Sequence, residues 1–169
     1  MQAKTCKESR TIKASLILPH DTNMHGTIFG GTVMSHIDEV SAIAAMRHCR
    51  RPVVTASIDS VDFLAPAKLG YSVCLEAFVT HTGRTSMEVF VKIVSEDLTT
   101  GDRQLTATSF ITFVALDGNG RPTPVPQIVP ETEEEKYLFE TAPARQQMRK
   151  ERRNHTQDFY DQIDITKNI

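Results

Sequence analysis

The chain has 169 residues, 40% of them hydrophobic and 24% charged, with a net charge of −2. That length fits one domain, or one domain with a tail, and the composition is ordinary for a globular protein. The near-neutral balance gives no general case for nucleic acid, and the longest apolar-leaning stretch, Ile28 to Met46, is interrupted by His36, Asp38 and Glu39 and so does not read as a membrane span.

The N-terminus, MQAKTCKESR, lacks the apolar centre of a signal peptide. Cys6, Cys49 and Cys74 are odd in number, widely spaced and without a C-x-x-C pair. That is the pattern of reduced thiols in a cytoplasmic protein rather than of a disulfide frame or a zinc site. Thr11 to Leu18 is β-branched and apolar and reads as a strand that Pro19 ends. A loop of turn-formers, PHDTNMHGTIFGG, follows. From Gly31 to Cys49 the apolar positions Val33, Met34, Ile37, Val40, Ile43, Ala44 and Met46 cover much of a helical wheel. They predict a helix buried on most sides and stopped at Arg50-Arg51-Pro52.

Four long segments rich in Val, Ile, Thr and Phe come next, beginning at Val53, Ser72, Ser86 and Arg103. Turn signals part and close them, at Pro66 with Gly70, Thr82-Gly83, Thr100-Gly101 and the Gly118-Asn119-Gly120 cluster. Short connections favour antiparallel neighbours. A strand, a long helix and four strands predict an α+β fold in which one helix lies against one sheet. Arg121 to Pro130 holds four prolines and should run extended over the surface. From Glu131 to Arg153 acids come before bases, the order a helix dipole favours, and Pro143 is expected to kink or break that helix. From Asn154 onward the tail is polar and expected to fray. The expected division is a folded domain over 1–128 and a C-terminal helical extension with a polar tail over 129–169.

The chain contains no G-x-S-x-G elbow, P-loop, G-x-G-x-x-G or H-E-x-x-H motif. Its six histidines form no i, i+4 pair, so no metal site is expected. The informative stretch is HGTIFGGTVMSHIDE, residues 25–39. A carboxylate in a buried helix is costly unless it is paired or opens onto a polar cavity. Asp38 or Glu39 therefore turns to solvent, pairs with a base such as Arg47, or faces a cleft as a general base. Gly30-Gly31 is either a turn with a close-packed helix start or a bare helix N-terminus whose N–H groups face an anion or a polarised carbonyl. Asn23 and His25 are equally open, as turn residues or as catalytic ones.

As a set these residues say more. DTNMHGTIFGGTVMSHIDE, followed by VTASIDSVDFLAPAKLG, TGRTSMEV and TATSFITFVALD, resembles the acyl-CoA thioesterases of the hot-dog fold. The likeness is both to the short bacterial hydrolases and to each half of the tandem-domain cytosolic enzymes of animals, and it runs from about Thr11 to Pro126. It implies a curved antiparallel sheet wrapped around one long central helix. It implies Asp38 as the catalytic acid and Asn23 as a catalytic asparagine supplied by a second copy, because in the tandem enzymes those groups come from different halves. Gly30 and Gly31 match the helix start whose amides approach the thioester carbonyl. Ala56, Ser57 and Ile58, with Thr85, Ser86 and Met87, match strand segments that contact coenzyme A. Arg145 matches an arginine near the nucleotide phosphates, and Thr27 stands where some relatives carry Asp or Asn.

The basic end of the last helix, Arg145, Arg149, Lys150, Arg152 and Arg153, suits a phosphorylated ligand or simply complements the helix dipole. Phe29, Met34 and Phe63 are candidates for setting acyl-chain length. The expected activity is hydrolysis of acyl-CoA to fatty acid and coenzyme A, with no cofactor required. The expected assembly is a homodimer or a trimer of dimers in the cytoplasm, with neither nucleic acid nor membrane as a partner. Two rivals stand beside it: a hot-dog hydratase or dehydratase using His25 or His36 with an acid, and a sensor that binds acyl-CoA without turnover.

Overall fold

The computed structural model describes residues 1–160 and 162–164, leaving aside the side chains of Gln157 and Asp158. In chain order the elements are β1 (Lys4–Thr5), α1 (Cys6–Ser9), β2 (Thr11–Leu16), a 3-10 turn (Pro19–Asp21), α2 (Gly30–Cys49), β3 (Val53–Phe63), β4 (Ser72–Thr82), β5 (Ser86–Glu96), β6 (Arg103–Ala115), β7 (Ile128–Val129) and α3 (Glu133–Tyr160). Five strands make one antiparallel sheet in the order β2-β4-β5-β6-β3, and β1 pairs in parallel with β7. The sheet wraps α2, which is the hot-dog arrangement.

Helix α2 buries Val33, Ile37, Val40, Ala44 and Ala45, positions three, four or one apart that form one face. That face meets the inner side of the sheet, where in-register rows such as Ala77–Val91 and Val79–Val89–Ile111 are buried throughout. Each large apolar side chain so enclosed contributes about 1.5–3 kcal/mol. Arg50 ends the helix in the left-handed region, φ 55°, with its N–H on the Met46 carbonyl, and Pro52 prevents any continuation.

The outer side of the sheet is built differently. Phe78, Phe90 and Phe110 form a row across β4, β5 and β6, with ring centroids 6.0 and 5.1 Å apart. Charged residues flank that row, among them Glu76, Lys92 and Glu88. Helix α3 lies over this side. It buries Leu138 and Ala142, ties Glu134 to Lys92 at 3.1 Å, and sets the Arg145 guanidinium 4.1 Å from the Phe110 ring centre. Arg10, at the end of α1, joins Glu76 of β4 to Glu135 of α3. The expected fold, a sheet wrapped around one long central helix with a C-terminal helical extension, is the one observed, and the helix of that extension lies on the sheet's outer side.

Four expectations change. The first strand stops at Leu16, because Leu18 already leads into the 3-10 turn. Helix α2 leaves Met34, Ile43 and Met46 40–48% exposed in the single chain, so it is not buried on most sides. The proline-rich segment does not simply cross the surface: Val125, Pro126 and Ile128 are buried, with the Pro126 carbonyl 2.9 Å from the His48 ring. Helix α3 runs unbroken through Pro143 as far as Tyr160. Pro143 removes the donor that the Phe139 carbonyl would have in a regular helix, and in the turn before it the Tyr137 and Leu138 carbonyls accept side-chain hydrogen bonds from Thr141 Oγ1 and Arg145 Nη2. Of the expected polar tail, positions 161 and 165–169 lie outside the described residues.

Candidate active site

Asp38 and Glu39 are neighbours in sequence and roughly 100° apart around the helix, and the structure gives them separate surroundings. Glu39 is exposed, and Lys13 Nζ of β2 donates to its Oε2 at 2.5 Å. That hydrogen bond and the lysine charge hold the Glu39 carboxyl below its ordinary value. Lys13 also lies 3.0 Å from His36 Nδ1, and burial, with the lysine charge second, pushes the His36 ring toward its neutral form. Arg47, considered from sequence as a partner for these acids, instead donates to the Arg10 carbonyl and to Thr11 Oγ1. Asp38 is half-buried and turns toward β3, where its Oδ1 accepts from Thr55 Oγ1 at 2.9 Å. No other hydrogen bond reaches Asp38 among the described residues, so its second oxygen is open.

The loop before α2 is tied down by Asn23. Its Oδ1 accepts from the His25 N–H at 2.9 Å and its Nδ2 donates to Thr27 Oγ1 at 3.0 Å. Helix α2 then starts at Gly30 with no side-chain cap. The N–H groups of its first turn have no partner within the helix. A Cβ on Gly31 would come within 2.7 Å of the Phe29 ring, so the glycine lets that ring pack over the helix start. Asn23, Thr27 and Gly30 line a cavity of about 420 Å³ together with Phe63, Ala67 and Thr106. Asp38 is not in its wall, and no hydrogen bond joins Asp38 to Asn23 within the chain. Phe29 and Met34 also lie outside that wall, so Phe63 alone of the three chain-length candidates lines it.

A second cavity, about 1100 Å³, opens between the ends of β3, β5 and β6 and the C-terminal half of α3. Ala56, Ser57, Ile58, Thr85 and Ser86, marked from sequence, all line it, as do Arg149, Lys150, Arg152 and Arg153. Met87 does not: strand alternation turns it away from Ser86 into the core, where it is fully buried. Arg145 also lies outside the lining. Its guanidinium is occupied by Glu88, at 2.8 Å, and by the Leu138 carbonyl and Thr141 Oγ1. Among the described residues Lys150 and Arg153 have no acidic partner, so these two cations face the cavity uncompensated.

A family model described as the Thioesterase superfamily matches residues 25–101. The chain is 58% identical to a Bacillus subtilis protein named as the uncharacterized acyl-CoA thioester hydrolase YkhA, over 92% of this chain and 91% of that one. The chain belongs to the hot-dog acyl-CoA thioester hydrolase family. Among solved members, the acyl-CoA hydrolase of Staphylococcus aureus, in complex with butyryl coenzyme A, coenzyme A and coenzyme A disulfide, matches with a TM-score of 0.91 at 45% identity, covering 94% of this chain and 97% of that one. A hexameric acyl-CoA thioesterase matches with a TM-score of 0.88 at 58% identity, covering 90% of this chain and 97% of that one. The Staphylococcus aureus enzyme has also been solved with an asparagine, an aspartate and a threonine each replaced by alanine. The spacings between those positions, 15 and 17 residues, equal those from Asn23 to Asp38 and from Asp38 to Thr55 here.

Sequence reasoning passed over Thr55, Asp59 and Glu88. Thr55 is one of many threonines in strand-forming segments, and only the way β3 faces α2 singles it out. Glu88 stands in a run of apolar strand residues and is buried, with a side chain 1% exposed, between Arg145 and Arg149. A buried acid in a strand was the available signal, but its partners lie 57 and 61 residues away.

Proposed function

We propose that the protein hydrolyses acyl-CoA thioesters in a site shared between two copies of the chain, with Asp38 from one and Asn23 of the partner subunit. The observation that carries this reading is the separation, within one chain, of Asp38 from the cavity that Asn23 lines. A single chain holds each half of the constellation but does not join them. Asp38, oriented by Thr55, acts on the thioester carbonyl, as base toward water or as nucleophile itself. The free N–H groups at Gly30 and Gly31 receive the developing oxyanion, and coenzyme A leaves as its thiol. Asn23 holds the water or the carbonyl. The hydratase reading finds no such support: His36 is engaged by Lys13, and no hydrogen bond links His25 or His36 to Asp38.

Coenzyme A is substrate and product, and the basic cavity holds its nucleotide end, with Lys150 and Arg153 directed to the phosphates and Ala56–Ile58 and Thr85–Ser86 along the strand ends. Arg145, through Glu88, and Met87, from the core side of β5, keep these segments in place. No cofactor takes part in this scheme. The domain 1–128 thus carries the thioester chemistry and the extension 129–169 the phosphate contacts. The apolar residues left exposed near the helix start, among them Phe29, Met34, Phe63 and Leu64, suit burial against a second copy. The hexameric relative supports a trimer of dimers. Among the described residues no helix is long and apolar enough to cross a membrane, and the three free cysteines suit a cytoplasmic location.

Release of free thiol from a panel of acyl-CoAs separates hydrolysis from binding without turnover. Subunit mixing tests the shared site. Asn23→Ala and Asp38→Ala chains, each nearly inactive alone, are allowed to exchange. Random pairing leaves about half the dimers mixed, each with one intact site, and restores about a quarter of wild-type activity. No recovery, with exchange verified by mass on differently tagged chains, refutes the shared site.

A further inference from the structure

Behind the wall of the basic cavity lies a carboxylate that gathers three of its lining residues. Asp59 stands at an irregularity in β3: Ile58 pairs with Ile111 and Ser60 with Phe110, so Asp59 is an extra residue without a partner on β6. A bulge of this kind re-aims a side chain, and bulges concentrate beside functional sites. Here it brings a carboxylate only 13% exposed beneath α3. Asp59 Oδ2 accepts from Arg149 Nη1 at 2.7 Å, and Oδ1 accepts from Arg152 Nη2 at 2.9 Å and from Ser57 Oγ at 2.5 Å. Arg152 Nη1 also reaches the Asp59 carbonyl at 3.2 Å. Ser57, Arg149 and Arg152 line the cavity, and Asp59 does not. Glu88 steadies Arg149 from the other side at 2.7 Å.

We infer that Asp59 is a positioning residue for the nucleotide end of coenzyme A, holding Arg149 and Arg152 with their remaining donors turned into the cavity and fixing the Ser57 hydroxyl, which accepts from Arg152 Nη2 at 2.9 Å, beside them. The inference rests on the reading of that cavity as the coenzyme A nucleotide site. Arginine side chains carry large rotamer freedom, and freezing two of them in advance removes that cost from binding. The same carboxylate repels phosphate, so two effects oppose. The repulsion acts across the guanidiniums and through the water of an open cavity, which screens it. The Arg149–Asp59 pair that does the ordering is 15% and 13% exposed, so it is screened far less. Ordering therefore prevails, and loss of Asp59 weakens binding.

The test is Asp59→Asn, which keeps the shape and removes the charge, assayed with acyl-CoA and with the matching acyl-pantetheine. The expected result is a rise of about tenfold in KM for acyl-CoA, an energy of the order of one lost charge-assisted contact, with kcat within about twofold and KM for acyl-pantetheine unmoved. In an Arg152→Ala background the effect of Asp59→Asn shrinks, because the two act as one unit. A KM for acyl-CoA that is unchanged or lower, or an equal rise for both substrates, overturns the positioning role. Asp59→Glu guards against misfolding of the first variant. It keeps the charge and moves it, so it raises KM if position matters, and a wild-type KM overturns the inference. Lys150→Ala with Arg153→Ala separates the inference from the reading beneath it. If that pair leaves KM for acyl-CoA untouched, the cavity is not the nucleotide site and both fall. If it raises KM and Asp59→Asn does not, the cavity stands and the positioning role falls.

Discussion

The two sides of the one sheet hold their helices by different physics. On the inner side α2 is held by close-packed apolar side chains, with Val79, Val89, Ile111 and Phe113 buried and Ser41 the one polar residue of the helix face, apart from His48 near its end. On the outer side α3 is held by an aromatic row crossed by ion pairs, with Arg145 and Arg149 on Glu88, Arg149 and Arg152 on Asp59, and Arg10 on Glu135. Apolar packing is indifferent to direction and makes a stable centre. Ion pairs are directional and fix where particular donors point, at a desolvation cost that packing does not carry. In the proposed reading, the thioester chemistry begins on the well-packed helix, and the phosphate-binding surface is built on the ion-paired one.

The largest expected effect is on the packed side. Phe113→Ala should cost about 3–5 kcal/mol, lowering Tm by roughly 2–4 °C for each kcal/mol, and thermal unfolding followed by circular dichroism checks it. A loss under about 1 kcal/mol would mean the inner side is not close-packed. On the outer side, Glu88→Ala leaves Arg145 and Arg149 without their shared acid. Both arginines keep some contact with water, so the loss should fall at the low end of about 3–5 kcal/mol, and KM for acyl-CoA should rise as α3 shifts. If stability falls and KM does not, the outer network serves the fold alone.

Acid sharpens the same contrast. Burial pushes His48 on α2 and His81 on the outer side below the ordinary histidine value of 6.5. The unfolded chain takes up these protons from about pH 6.5 downward, and the folded chain does so only at lower pH. The unfolded state therefore binds more protons in that window, and stability falls as pH falls below 6.5. Urea unfolding at a series of pH values should show that slope, and His48→Gln should flatten part of it. A slope unchanged in His48→Gln would mean that the ring takes up its proton without leaving its place beside Pro126. The smallest effect belongs to Glu39→Gln. That acid is exposed and paired with one lysine, so neither Tm nor turnover should move measurably, whereas Asp38→Asn should lower turnover by about 10²–10⁴-fold. Similar losses in both variants would break the division of labour between the two neighbours.

Much of the inner half was legible in the sequence. The four strand segments, the helix start at the glycine pair and the α+β order follow from local periodicity and turn residues, and the motif order pointed to the hot-dog family. The outer half was not. Glu76 and Lys92 look like ordinary solvent-facing residues of amphipathic strands, Glu88 is a lone acid in an apolar run whose partners are remote in sequence, and Pro143 looks like the end of a helix.

The sequence by itself determined the central helix and the long strands, because alternation, helical spacing, glycines and prolines act over a few residues. It also determined that two acids sit side by side on α2 and that bases crowd the end of α3. Only the tertiary structure decided which acid meets Lys13 and which meets Thr55, that Arg145 is taken up by Glu88 while Lys150 and Arg153 are left facing the cavity, and that Asp59 swings behind them at a bulge. These outcomes depend on which surfaces cover one another across dozens of residues of chain, and electrostatic pairing depends on distance in space, which no local pattern encodes.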